Sequence, residues 1–271
     1  MQSVHSPVSM RVLAIANQKG GVGKTTTAIN LGTALTAVGE RVLLVDLDPQ
    51  GNASTGLGVP ASARTRTVYD VLMEDCPIAS AAVATALPGL FLAPSDSDLS
   101  GVELELAQKP RRAFKLRDAL DSVRAAGSYD YVLIDCPPSL NLLTLNAMTA
   151  ADAVLVPMQC EFFALEGLSQ LLRTVEMVRE TLNPTLEIQG VVLTMYDRRN
   201  SLSAQVAGEV RGHLGDKVYQ TVIPRNVRVS EAPSYGKPAL IYDLKCAGSQ
   251  AYLQLAKEVI GRERARRSVA A

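Results

Sequence analysis

The stretch Asn17-Gln18-Lys19-Gly20-Gly21-Val22-Gly23-Lys24-Thr25-Thr26 limits what this chain can fold into more than any other. It follows Arg11-Val12-Leu13-Ala14-Ile15-Ala16, an apolar, β-branched run that reads as a buried strand. It opens into a helical pattern over residues 25–38 that stops at Gly39. Strand, glycine turn and helix, with Lys-Thr at the helix mouth, make a phosphate-binding loop. Glycines let successive backbone N–H groups turn inward on a polyphosphate, and the helix N-terminus adds about half a positive charge. Gly20, Gly21, Val22, Gly23 and Thr26 then form the cradle for a nucleotide such as ATP. Lys24 reaches the β- and γ-phosphates, and the Thr25 hydroxyl ligates Mg²⁺.

The usual pattern, G-x-x-x-x-G-K-[ST], would put its first glycine at position 18, where Gln18 stands. Instead an additional lysine, Lys19, precedes the glycines. It is either a solvated loop residue or a second phosphate-directed cation. At the rim of the loop it is well placed to point away from its own nucleotide, toward one held by a facing copy of the chain. The run K-G-G-V-G-K-T-T resembles the deviant Walker A box of the ParA/MinD class of P-loop ATPases. In that class the extra lysine crosses a dimer interface to the partner's phosphates. The resemblance therefore implies a catalytic role in trans for Lys19, beside Lys24.

Hydrophobic residues make up 47% of the chain but aromatics only 4%, with no Trp, so the core must be aliphatic. That composition suits parallel strands covered by helices on both faces. Strand patterns fall near residues 41–48, 90–94, 129–135, 153–157, 187–195 and 218–222. Helical patterns fall near 67–73, 99–108, 111–126, 164–182, 202–214 and 249–267. This alternation, without repeats or a Pro/Gly/Ser linker, predicts one doubly wound, mostly parallel α/β sheet with helices on both faces. The domain is expected over residues 11–267, between a disordered leader (1–10) and a short tail (268–271). Residues 221–228 are expected to cross back over the end of the sheet. The four cysteines are scattered without metal-ligand spacing, which fits a reducing compartment and argues against an iron–sulfur cluster. No signal-peptide core is present, and no apolar run approaches the roughly 18 residues that span a bilayer. A cytoplasmic protein is the expectation.

Two further strands end in acid. The first runs into Asp46-Leu47-Asp48-Pro49-Gln50-Gly51-Asn52. Strand alternation puts Asp46 and Asp48 on one side, and open α/β sheets bind ligands beyond the carboxyl ends of their strands. One carboxylate can orient a water attacking the γ-phosphate, while the other holds the loop or the metal shell. Tyr131-Val132-Leu133-Ile134-Asp135 is the second, a Walker B pattern in which Asp135 supports the Mg²⁺ shell. D-L-D-P-Q-G-N and D-C-P-P resemble the switch I and switch II segments of ParA-type ATPases. By that resemblance the water-positioning aspartate is Asp48.

The formal net charge is zero, so any nucleic-acid contact must come from a local patch. Lys109, Arg111, Arg112, Lys115 and Arg117 read as a solvated helix face. The segment I-P-R-N-V-R-V-S-E-A-P-S-Y-G-K-P resembles the C-terminal signature of ParA/Soj partitioning ATPases. With it, Pro224 and Asn226 are implied as ATP-binding. Arg198, Arg199, Arg225, Arg228, Lys237 and Lys245 are implied as contacts to non-specific double-stranded DNA. The resemblance spans residue 11 to about 260. It implies an ATP-bound homodimer that binds DNA on the nucleoid, released by slow hydrolysis that a ParB-like centromere-binding partner stimulates. The rival within the class, a MinD-like membrane switch, needs a C-terminal amphipathic helix with a bulky apolar face. Beyond Ile260 the tail carries mainly arginines, small residues and Val269, too little apolar area for stable anchoring. No membrane partner is therefore expected.

Overall fold

The computed structural model describes residues 10–270. Residues 1–9 of the expected leader and the last residue of the tail lie outside them, whereas Met10, expected to end the leader, is buried in the core. The strands are β1 (Arg11–Ile15), β2 (Val42–Asp46), β3 (Val83–Ala84), β4 (Leu90–Ala93), β5 (Tyr131–Asp135), β6 (Ala153–Gln159), β7 (Glu187–Tyr196) and β8 (Val218–Pro224). They form one eight-stranded sheet in the order β3-β4-β2-β5-β1-β6-β7-β8. All neighbours run parallel except the edge pair β3–β4.

Alternation along each strand splits the apolar runs between two cores. Val12 and Ala14 of β1, Leu43 and Val45 of β2, and Val132 and Ile134 of β5 enter one core. Leu13 and Ile15, Val42 and Leu44, and Tyr131 and Leu133 enter the other. The first core is covered by helices Lys115–Ala126, Leu142–Ala150, Ala164–Thr181 and Ser201–Leu214. The second is covered by the phosphate-loop helix Lys24–Ala37 and the C-terminal helix Ala247–Ala270, whose Tyr252, Leu255 and Val259 are buried. This is the doubly wound architecture expected from composition and alternation.

The structure departs from expectation in several places. Residues 221–224 extend edge strand β8, whose Pro224 pairs with Tyr196 of β7. The crossing expected from residue 221 begins only beyond it, where Arg225, Asn226 and Val229 lie across the sheet end from the glycine loop. Asn226 then caps helix Val227–Glu231, its Oδ1 accepting the Val229 N–H at 3.3 Å. The helix expected from residue 111 begins at Lys115, because Arg111 takes a left-handed φ of 55°. Arg111 pairs with Asp118 at 2.7 Å and Lys115 with Asp75 at 2.6 Å, so this basic cluster is partly neutralised within its own surface. Among the described residues no helix is long and apolar enough to cross a membrane.

At the end of the sheet where the parallel strands begin, Arg11 pins the C-terminal helix. Its Nε donates to Glu263 Oε1 at 3.0 Å and its Nη2 to Gln189 Oε1 at 2.9 Å. The Arg11 and Glu263 side chains are only 4% and 3% exposed. Breaking one side of a buried pair strands the other charge. Glu263→Ala is therefore expected to lower stability by about 3 kcal/mol in urea unfolding. A loss below about 1 kcal/mol would mean that Glu187, 3.6 Å from the guanidinium, replaces it.

Candidate active site

Three neighbouring strands, β2, β5 and β1, finish level with one another. Asp46 of β2 pairs in register with Asp135 of β5, and Asp135 with Ile15 of β1. Two acidic strand ends and the glycine loop therefore meet at one edge, as the strand-end rule for open α/β sheets requires. Gly23, the N-cap of the phosphate-loop helix, has φ 87°, a left-handed conformation that only glycine adopts without penalty. The loop encloses a cavity of about 450 Å³ lined on one side by Gly20, Gly21, Gly23, Lys24, Thr25 and Thr26. Asp48 faces it, and Pro224 and Asn226 close it from the far side. Lys24 is buried, and its Nζ donates to the Lys19 carbonyl at 3.0 Å, curling the loop around its own lysine.

Charge is concentrated beneath that cavity. Burial lowers the Lys24 pKa, opposed by Asp135 and Asp48. Burial also pushes Asp46 up to about 6, against hydrogen bonds from Ser54 that favour its ionised form. Asp135 is raised well above the carboxylate range, first by burial and then by Asp46. Among the described residues neither Asp135 oxygen has a hydrogen-bond partner, although both are fully buried. The Thr25 hydroxyl lies close enough to oppose the shift without completing a hydrogen bond to either oxygen. A buried, donor-starved carboxylate beside a threonine hydroxyl is an all-oxygen donor set suited to Mg²⁺, directly or through its water shell.

The two aspartates after β2 have different surroundings. Asp46 is fully buried and accepts the Ser54 N–H and hydroxyl at 2.8 and 2.6 Å, so it anchors the loop. Asp48 lines the cavity, its Oδ1 accepting the Gln50 N–H at 3.0 Å. Lys19 and Val22 do not line the cavity. Val22 is buried and offers its carbonyl to the Thr194 hydroxyl of β7 at 2.8 Å. Lys19 extends outward, its Nζ ion-paired with Glu161 just after β6.

Several cavity residues escaped the sequence reading. Thr194, a polar residue that follows the apolar run Val191-Val192-Leu193 at the carboxyl end of β7, carried a readable signal. Met195 beside it takes a left-handed φ of 48°, which costs a non-glycine residue on the order of 1–3 kcal/mol. Tyr252 arrives from the C-terminal helix, its hydroxyl 3.3 Å from that of Thr27, and nothing local marks it.

The basic residues divide. Arg198 and Arg199 lie on the loop after β7, and the Arg225 N–H donates to the Tyr196 carbonyl at 3.1 Å, bringing these three to one rim. Arg199 pairs with Asp197 at 2.9 Å and holds that carboxyl down at about 2. Arg228 pairs with Glu231 at 3.1 Å. Lys237 and Lys245 are exposed on a separate stretch beyond helix Val227–Glu231.

A family model described as an AAA domain matches residues 10–188. Chromosome partitioning protein ParA of Caulobacter vibrioides is 74% identical, over 97% of this chain and 98% of its own length. Sporulation initiation inhibitor protein Soj of Bacillus subtilis is 53% identical, over 92% and 98%. The solved structure of cobyrinic acid a,c-diamide synthase from Mycobacterium smegmatis, with bound ADP and magnesium, is similar at a TM-score of 0.82. It is 40% identical and covers 94% of this chain and 96% of its own. With the glycine loop, the paired acidic strand ends and this similarity along nearly the whole chain, the protein belongs to the ParA/Soj family of chromosome-partitioning P-loop ATPases.

Proposed function

We propose that the chain is a DNA-segregation switch in which ATP closes two copies face to face and hydrolysis separates them. The observation that carries this reading is the direction of Lys19. The chain already supplies one buried cation, Lys24, to its own cavity. Its second loop lysine points out of that cavity and rests on Glu161 at the rim, 42% exposed. A cation held there is available to a nucleotide in a facing copy.

The roles follow from phosphoryl-transfer physics, in which positioning and charge stabilisation supply nearly all of catalysis. Lys24 neutralises the triphosphate. Mg²⁺ offsets charge on the β- and γ-phosphate oxygens when bound, and Thr25 and Asp135 are the residues that would hold it. The loop glycines, Val22 and Thr26 present their N–H groups, and Pro224 and Asn226 border the far end of the nucleotide. Asp48, which lines the cavity, orients the attacking water. Lys19 stabilises transition-state charge in trans, a contribution of roughly 10³–10⁵ in rate in related NTPases.

Non-specific duplex DNA is the proposed substrate surface, engaged through Arg198, Arg199, Arg225, Arg228, Lys237 and Lys245. Arg199 and Arg228 already pair with carboxylates, which weakens each monomer's patch. Joining two such patches in a dimer raises affinity by avidity. A ParB-like centromere-binding partner would then accelerate hydrolysis and return the protein to its weakly binding form on the nucleoid.

Asp48→Ala is expected to bind ATP and accumulate as a persistent dimer in size-exclusion chromatography. A species that stays monomeric with saturating ATP would contradict the nucleotide-sandwich reading. Arg198→Ala is expected to weaken ATP-dependent DNA retention and to lower the salt slope of binding by about one per protomer. An unchanged slope would remove Arg198 from the interface.

A further inference from the structure

The loop that carries Asp48 is held from below by a buried polar relay that begins outside the phosphate loop. Ser95 follows β4, one residue beyond Pro94, and is fully buried. Its hydroxyl donates to the Asp48 carbonyl at 2.6 Å. Its N–H donates to Ser54 Oγ at 3.1 Å, and Ser54 in turn donates to Asp46. The Ser95 carbonyl accepts Arg64 Nη1 at 2.9 Å. That guanidinium lies where a side chain at residue 51 would project. A Cβ on Gly51, φ 62°, would fall 2.4 Å from Arg64 Nη1 and 3.3 Å from the Ser95 carbonyl. The Gly51 N–H gives the Asp48 carbonyl its second donor, at 2.9 Å. Both lone pairs of that carbonyl are thus occupied, and the peptide plane from which the Asp48 side chain springs is fixed on its carbonyl side.

We infer that Ser95 is a positioning residue for ATP hydrolysis, setting the Asp48 backbone so that its carboxylate faces the attacking water. The inference rests on the water-orienting role proposed for Asp48. Ser95 does not line the cavity, and its hydroxyl reaches Asp48 through the backbone carbonyl, so its loss leaves the phosphate cradle intact. What changes is the aim of one carboxylate, and a displacement of about 1 Å at a reacting group costs up to roughly 10² in rate.

Ser95→Ala is expected to bind ATP within about two-fold of wild type by calorimetry. Its single-turnover hydrolysis should slow by roughly ten- to hundred-fold, and its ATP dimer should persist correspondingly longer. Ser95→Thr, which keeps the hydroxyl, should restore most of the rate. In the double variant Asp48→Ala/Ser95→Ala hydrolysis should be no slower than in Asp48→Ala alone, because the serine acts through the aspartate. If Ser95→Ala does not fold, Ser95→Cys leaves no cavity, replaces the hydroxyl by a weaker donor and carries the same expectation. Wild-type turnover in the serine variant, with Asp48→Ala slow, overturns this inference alone. So does a double variant slowed by the full product of the two single effects. Wild-type turnover in Asp48→Ala overturns the water-orienting reading and this inference with it.

Discussion

A carboxylate buried without a donor is costly, and Asp135 is one, set against a second buried carboxylate on the neighbouring strand. Removed from water, the pair disfavours its own ionisation, which is why both groups sit above the ordinary carboxylate range. The fold tolerates this because Asp46 is compensated from Ser54 while Asp135 is left facing Lys24 and Thr25. A divalent cation arriving with a polyphosphate would reverse the local electrostatics, favouring the ionised form that burial penalises. The strain at the edge of the sheet is therefore matched to one class of ligand.

Around that point the structure builds outward in layers. The parallel register of β2, β5 and β1 brings the acids and the glycine loop to one level. Thr194 braces the loop from β7 through the Val22 carbonyl, and Ser95 braces the Asp48 turn from β4. Strands on both sides of the central triplet thus hold parts of the site that the triplet alone could not orient. Lys19 is the exception, tethered at the rim by Glu161 rather than locked inside. Beside Glu161, Phe162 and Phe163 are 76% and 66% exposed and stack edge to face. A rim with a charged lysine and two aromatic rings fits the face on which a second copy is proposed to close.

The glycine loop was legible because its chemistry is local: left-handed glycines, a lysine and a threonine at fixed spacing need no distant partner to be recognised. The acidic strand ends were legible for the same reason, and the aliphatic runs were enough to predict the doubly wound sheet. Their division of labour was not, since Asp46 and Asp48 differ through Ser54 and the cavity, not through sequence spacing. Helix Leu142–Ala150 went unread because it is apolar on nearly every side, so no stripe marks it. Strand β3, only two residues long, is defined by pairing with β4 and carries no pattern of its own. Tyr252 and Ser95 reach the site from far along the chain, and only tertiary structure reveals them. The basic residues show the limit most clearly: similarity of motif grouped all six, whereas in the structure Arg199 and Arg228 are already paired with carboxylates.

The account turns on Asp135 serving the metal that accompanies ATP. Calorimetry of ATP binding, with Mg²⁺ and with EDTA, tests this most directly when wild type is compared with Asp135→Asn. Wild type should bind more tightly with Mg²⁺, and Asp135→Asn should lose about ten-fold or more of that enhancement. An asparagine variant that retains the full Mg²⁺ dependence would contradict the account, because the buried carboxylate would then have no part in holding the ion.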